Sequence, residues 1–280
     1  MNGWSFAFSR KWAGYLALVT VFAIVCVCLG FWQIARRAEA LHEIDLIETN
    51  WDHAPVPIDD ALPTLRSYAD GQKYLPVTVS GTYLVDEQRL VRNRPGDSGP
   101  GFEVLTPLQL SDGTMFIVDR GWLPTGDSPE APSSVPDAPT GPVTVVARLK
   151  AGEPHIAGRT APPGQVQTIE LDDMQKLVGQ PAYTAAYGLM ASETPASADR
   201  PQAAAKPALD EGPHLSYAFQ WFVFALLAFI GFGWAVRQEY RVVNSEDPEE
   251  QERAAERERR KAAKARTDAV IEDEILDRQH

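Results

Sequence analysis

Two long runs of apolar residues without a charge frame the chain: Trp12 to Ala35, with 24 positions, and Tyr217 to Val236, with 20. Each is long enough to cross a hydrocarbon core about 30 Å thick as a helix, which takes about 20 residues. The first holds eleven Leu, Ile, Val or Phe and the second ten. At roughly −0.3 to −0.6 kcal/mol apiece near the bilayer centre, both sets favour insertion. The runs are apolar on every helical face, which argues against core helices of a soluble protein. A cleaved signal peptide is the rival account of the first run, since Arg10 and Lys11 precede it and Ala38-Glu39-Ala40 resembles a cleavage site. The run is longer than an ordinary signal core, and Arg36 and Arg37 follow it at once as a stop-transfer flank.

Between the spans the pattern changes to short alternations broken by Pro and Gly. Tyr74 to Tyr83 alternates through Val77 and Val79, Thr114 to Val118 is a compact apolar run, Val143 to Leu149 alternates again, and Tyr183 to Met190 closes the series. One helix is expected at Asp173 to Val178, capped by Asp172 and stopped by Gly179 and Pro181. The pattern predicts an α+β membrane protein, with two transmembrane helices flanking a mainly antiparallel external β domain that forms a small barrel or sandwich. The expected divisions are a short N-terminus (1–11), a first span (12–35), a connector (36–65), the β domain (66–191), an Ala/Pro-rich linker (192–216), a second span (217–236) and a charged, partly helical tail (237–280). Leu41, Ile44 and Leu46 or Ile47 sit at helical spacing, so span one is expected to run on as an amphipathic helix. In the tail, Asp247-Pro248-Glu249-Glu250 is a strong helix start, followed by Glu249/Arg253 and Glu256/Arg260 pairs. An apolar stripe appears there only at Val270, Ile271, Ile275 and Leu276.

Charge sharpens the topology. Arg10 and Lys11 precede span one, and Arg237, Arg241 and eight further Lys or Arg follow span two. This places both termini in the cytoplasm, with Arg36 and Arg37 as the dissent. About ten residues precede the first span, which leaves no transit peptide and points to a multi-pass protein of a bacterial plasma membrane. Residues 38–213 carry 25 Asp and Glu against 12 Lys and Arg, a balance that repels nucleic acid. Both cysteines, Cys26 and Cys28, lie inside span one, so the β domain has no disulfide framework. Their Cys-x-Cys spacing allows a copper site or plain packing. Gly-rich phosphate loops, His-Glu-x-x-His and Gly-x-Ser-x-Gly are all absent from the chain, and nothing asks for an enzyme. A membrane-anchored hydrolase would need a nucleophile and base converging on His53 or His155.

The concentrated chemistry lies where the two spans meet the outer boundary. Phe31, Trp32, Gln33, Arg36 and Arg37 share a depth with His214, Tyr217, Gln220 and Trp221 in an up-and-down pair. His214, Tyr217 and Trp221 are three and four residues apart, hence on one helical face. An imidazole above two aromatic rings, with guanidinium groups nearby, could ligate a haem iron and pair its propionates. An aromatic belt with an incidental histidine accounts for the same residues.

Five blocks then fall in order: Gly30-Phe31-Trp32-Gln33 with Arg36, Pro76-Val77-x-Val79-x-Gly81-x-Tyr83, Val104-Leu105-Thr106-Pro107, Val118-Asp119-Arg120-Gly121-Trp122-Leu123-Pro124, and His214-Leu215-x-Tyr217-Ala218-x-x-Trp221. With the two terminal spans, this series resembles the SURF1 family, membrane proteins required for cytochrome c oxidase assembly. The likeness covers roughly Trp12 to Tyr240 and is faint between Lys150 and Gly212. The resemblance implies a role in maturing the haem–copper catalytic subunit and, as in bacterial members, binding of haem a through the His before the second span, here His214. On that reading Tyr217, Trp221 and Trp32 cradle the porphyrin beside Gln33, and Arg36 or Arg37 meets the propionates. The implied partners are the oxidase catalytic subunit, haem a synthase and membrane lipid. Arg120 and Trp122 are candidates for a partner contact, Arg120 equally for a buried ion pair. A scaffold that steadies oxidase subunits or a supercomplex without haem is the alternative. The chain departs from the family pattern at Asp119, where Asn is usual, at Leu75, where Arg is usual, and in the tail after Asn244.

Overall fold

The computed structural model describes residues 3–96, 99–156, 158 and 160–277, with side chains described as far as residue 264. The expected stripe at Val270, Ile271, Ile275 and Leu276 therefore lies outside the described side chains. The chain divides into two compact units, one of residues 1–38 with 212–280 and one of residues 39–211.

The first unit is helical. Helix α1 (Arg10–Asn50) begins in it, and α4 (His214–Val243) and α5 (Pro248–Asp277) complete it. Both α1 and α4 are long and apolar enough to cross a membrane. Their apolar side chains are largely uncovered, with Leu18 67% and Phe219 71% exposed. Such surface is what a lipid-facing helix presents. The start of α5 is built by Asp247, whose Oδ1 accepts the Glu249 N–H at 2.9 Å. Arg253 then pairs with Glu249 at 3.3 Å and Arg260 with Glu256 at 2.6 Å.

The second unit is a mixed sheet of eight strands: β1 (Val56–Pro57), β2 (Pro76–Tyr83), β3 (Arg89–Gly96), β4 (Gly99–Gln109), β5 (Met115–Pro124), β6 (Pro142–Ala151), β7 (Gln165–Val166) and β8 (Ala186–Thr194), in the order β1-β2-β6-β8-β5-β4-β3-β7. Most pairings are antiparallel, whereas β1·β2, β3·β7 and β5·β8 are parallel. Strand β2 also meets β4, at Thr82↔Gln109 and Tyr83↔Leu108, which closes β2, β6, β8, β5 and β4 into a ring of paired strands. At that crossing only a glycine fits, because a Cβ on Gly81 would lie 2.3 Å from the Gln109 carbonyl oxygen.

Strand β5 sits centrally with both faces covered, which is why Met115-Phe116-Ile117-Val118 reads as a solid apolar run rather than an alternation. Phe116 and Val118 join Val77, Val145 and Leu149 in one apolar cluster, and Ile117 joins Val91, Leu105 and Tyr187 in a second. The first cluster is joined by the short α2 (Ile58–Ala61), through Ile58 and Ala61, and the second is covered by Ile47 and by α3 (Leu171–Val178), through Leu171 and Met174. Helix α3 starts two residues before the expected Asp173, with Glu170 rather than Asp172 at its cap, and stops at Gly179 in the left-handed region.

This unit begins well before residue 66 because the end of α1 belongs to it. The Asn50 amide donates to the Gly71 and Lys73 carbonyls at 2.8 Å each. Glu43 accepts from Lys73 at 2.7 Å and from the Tyr74 hydroxyl at 3.0 Å. The Arg148 guanidinium lies 4.2 Å over the Trp51 ring.

Two charged residues continue β5 into the interior. Arg120 is fully buried and donates to the Pro136 and Asp137 carbonyls at 2.9 Å each, beside Glu193 at 4.0 Å and over the Tyr83 ring. It thereby fastens the irregular stretch after β5 to the sheet. Asp119, 3% exposed, accepts the Gly121 N–H at 2.9 Å. Burial, with the Glu103 carboxylate adding to it, pushes the Asp119 carboxyl up to about 8.

Arg120→Met leaves Glu193 as an uncompensated buried charge, so denaturant unfolding of the purified protein should show a loss of about 3–5 kcal/mol, much of it recovered by adding Glu193→Gln. The raised Asp119 value means that the folded state holds a proton that the unfolded chain releases near 3.8. The stability tied to that proton is complete below the unfolded value, declines as pH rises, and is gone above about 8, with a slope of at most about 1.4 kcal/mol per pH unit. Asp119→Asn should flatten this decline between about pH 5 and about pH 8.5 in thermal unfolding, and an equal decline in both proteins would exclude Asp119 as its source.

Candidate functional site

In lipid, two helices gain little from burying apolar surface against each other, so close packing of small residues decides where they meet. On α1, Ala23, Cys26, Gly30 and Gln33 follow at steps of three, four and three, which places them along one face. On α4, His214, Ala218 and Ala225 do the same, with Trp221 and Phe222 between. Ala23, Cys26 and Ala225 form a buried cluster with Trp221 packed against it. At Gly30 a Cβ would sit 2.7 Å from the Phe222 ring, so the ring lies where any other residue would put its side chain. Phe31 meets the same ring edge-on, with centroids 5.6 Å apart. Nearer the other ends of the pair, Trp12 meets Phe232 at 5.8 Å.

One turn beyond Gly30 the seam becomes polar, and His214 Nδ1 lies 2.8 Å from Gln33 Oε1. With the amide oxygen accepting, Nδ1 carries the ring proton and the Nε2 lone pair is left unspent. His214 is the first residue of α4, preceded by Pro213 and by Gly212 at φ +69°. A side chain on Gly212 would be strained and would crowd Nε2, its Cβ only 3.3 Å away. A free imidazole lone pair beside a bare α-carbon fits a metal centre of the kind histidine ligates, haem iron included.

The structure thus joins Gln33, His214 and, through the seam, Trp221, which also packs edge-on against Phe224 at 5.9 Å. Trp32 and Tyr217 stay on exposed surface, 55% and 46% accessible, and pair with no other ring among the described residues. Arg36 is exposed and Arg37 half-buried about one turn past Gln33. The two thiols do not converge: Cys26 is in the seam and Cys28 is exposed. Ala23, Cys26, Gly212 and the packing role of Gly30 were not among the expected site residues. The signal for Ala23, Cys26 and Gly30 is a heptad spacing of small residues inside an apolar run, not a change in hydropathy, and Gly212 lies outside that run.

In the sheet unit, Arg120 is enclosed and of its pair only Trp122 reaches the surface. The Trp122 indole N–H donates to the Arg94 carbonyl at 3.0 Å. Beside it a cavity of about 220 Å³ has Asp119 and Glu103 in its wall. His155 lies 2.8 Å from Glu170 and 4.0 Å from Asp173, exposed, with no hydroxyl or thiol hydrogen-bonded to it among the described residues. His53 bonds only the neighbouring Ala54 carbonyl, at 2.7 Å.

Comparison with known proteins covers both units. The SURF1 family model matches residues 20–226. An uncharacterized SURF1-like protein of Mycobacterium tuberculosis is 33% identical over 248 residues, covering 85% of this chain and 88% of the relative. A SURF1-like protein of Rickettsia bellii is 22% identical over 208 residues, 73% of this chain and 83% of that protein. The Surfeit locus protein 1 of Xenopus tropicalis is 28% identical over 130 residues, 41% of this chain and 39% of its own. With two helices fit to span a bilayer around a mixed-sheet unit and the matching run extending through both, this chain is a membrane protein and belongs to the SURF1 family, which is associated with cytochrome c oxidase assembly.

Proposed function

We propose that this protein is an assembly factor for haem–copper cytochrome c oxidase that holds haem a at the Gln33–His214 end of its helix pair and hands it to the catalytic subunit. The observation that carries the reading is the 2.8 Å contact between His214 Nδ1 and Gln33 Oε1. Ligating histidines are ordinarily fixed by such an oxygen on the other ring nitrogen, which sets the tautomer and aims the lone pair. His214 Nε2 would then hold the haem iron, and Trp221, Tyr217 and Trp32 would supply aromatic faces for the porphyrin. Arg36 and Arg37, about one turn further along α1, supply guanidinium groups for the propionates. Apart from that coordination, the chain's own residues bind and orient the haem and neither make nor break covalent bonds. The oxidase catalytic subunit and haem a synthase are the proposed partners. The bias of Arg10, Lys11, Arg237 and Arg241 supports cytoplasmic termini and an outward-facing sheet unit in a bacterial plasma membrane.

Protein purified from cells that make haem a should show a Soret band that His214→Ala loses. Gln33→Leu should weaken haem retention by about 10- to 100-fold while His214 is still present. An unchanged band in His214→Ala removes His214 from the site. Normal oxidase maturation in His214→Ala, together with failure in a Trp122→Ala strain, would instead support a scaffold that acts without haem.

A further inference from the structure

At the far end of α4 from His214, the helical unit bears an open-sided cavity of about 550 Å³ whose lining combines apolar and basic side chains. Trp4, Phe232 and Val236 supply apolar surface to it, and Arg237, Arg241, Arg253 and Arg257 supply guanidinium groups. Gly233 lies between the apolar residues, with open space where a side chain would stand. The Trp4 ring stacks on Tyr240 with centroids 4.3 Å apart, forming one rim.

The charge of this wall is unbalanced. Glu250 is the lone carboxylate lining it, buried and shared between Arg257 at 2.6 Å and Arg253 at 3.8 Å. Arg241 donates to the Gln238 amide oxygen at 2.7 Å, and neither Arg237 nor Arg241 has a carboxylate partner among the described residues. The arginines converge because the chain turns back on itself. Asn244 ends α4 by bonding the Tyr240 carbonyl at 2.8 Å, Asp247 caps α5, and Glu250, Arg253 and Arg257 then follow at steps of three and four on one face. Arg237 is also the first charge beyond the uncharged run, which sets the arginines at the level where a membrane's polar headgroups begin.

A soluble anion would use the arginines and leave the apolar part of the lining idle. An anionic phospholipid uses both, with its phosphate among the guanidinium groups and an acyl chain along Phe232, Gly233 and Val236. Basic pockets beside membrane helices recognise anionic headgroups in this way. We infer that this cavity is a binding site for an anionic diacyl phospholipid, built jointly by the second span and the helix of the tail. The inference is independent of the haem reading, since none of its residues belongs to the Gln33–His214 end.

Native mass spectrometry of the detergent-solubilised full-length protein, titrated with phosphatidylglycerol and separately with phosphatidylcholine, tests it. Phosphatidylglycerol should be retained at least about ten-fold better, and Arg241→Gln with Arg253→Gln should weaken it by roughly five-fold per charge removed. Arg241→Lys with Arg253→Lys should keep most of the binding, as should Arg260→Gln, whose partner is Glu256 rather than the cavity. Gly233→Leu, which fills the apolar half and leaves every charge, should weaken retention as well. Equal retention of the two lipids, or no effect of the double glutamine variant, would overturn the site. Displacement by glycerol 3-phosphate at the same concentration as the lipid would overturn the lipid assignment in favour of a soluble organophosphate.

Discussion

The close approach of α1 and α4 at Ala23, Cys26 and Gly30 is the constraint on which the candidate site depends. Lipid tails are as apolar as the helices they surround, so nothing but packing and polar contacts selects one face of each helix over another. Gly30 makes that selection sharp, because Phe222 occupies the space of its missing side chain. Once the two helices are in register there, Gln33 falls opposite His214 one turn on, and the imidazole is oriented as a consequence of apolar packing below it. The polar contact in turn adds to the pairing, by about 1 kcal/mol on the scale of interhelical hydrogen bonds in membranes.

Helix α1 answers to two solvents in sequence. From Trp12 to Ala35 it is apolar on every side, as a lipid-facing helix must be. From Glu39 to Asn50 it becomes amphipathic and belongs to the sheet unit, where Ile47 is buried against Tyr74, Leu105 and Ile169, and Asn50 ties off the backbone of residues 71 and 73. A single unbroken helix therefore carries both a seam residue, Gln33, and a core residue, Ile47.

How much of this was legible follows from what each residue has to contrast with. The spans were plain because charge is absent from them, and β2 and β6 were plain because one face is more buried than the other. Strand β5 was only half legible, since burial of both faces erases the alternation, and its parallel pairing with β8 involves residues some 70 positions apart that no local pattern links. For Arg120 the sequence left a partner contact and a buried ion pair open, and the residue is interior together with Asp119. His214 and Gln33 were legible as candidates, but their contact was not, because it depends on small residues that stand out neither by charge nor by hydropathy.

The distribution of charge along the helix pair separates what its two ends can hold. Residues 38–213 carry an acidic excess, 25 Asp and Glu against 12 Lys and Arg, whereas four arginines and a single carboxylate line the cavity at the Tyr240 end. A basic cluster at that end is what the topology rule rewards. Arg36 and Arg37, next to Gln33, run against the same rule and gain nothing from it. On the two proposals above, the arginines near Tyr240 would meet membrane headgroups and those near His214 the propionates of a bound haem, so the two basic groups would differ in kind.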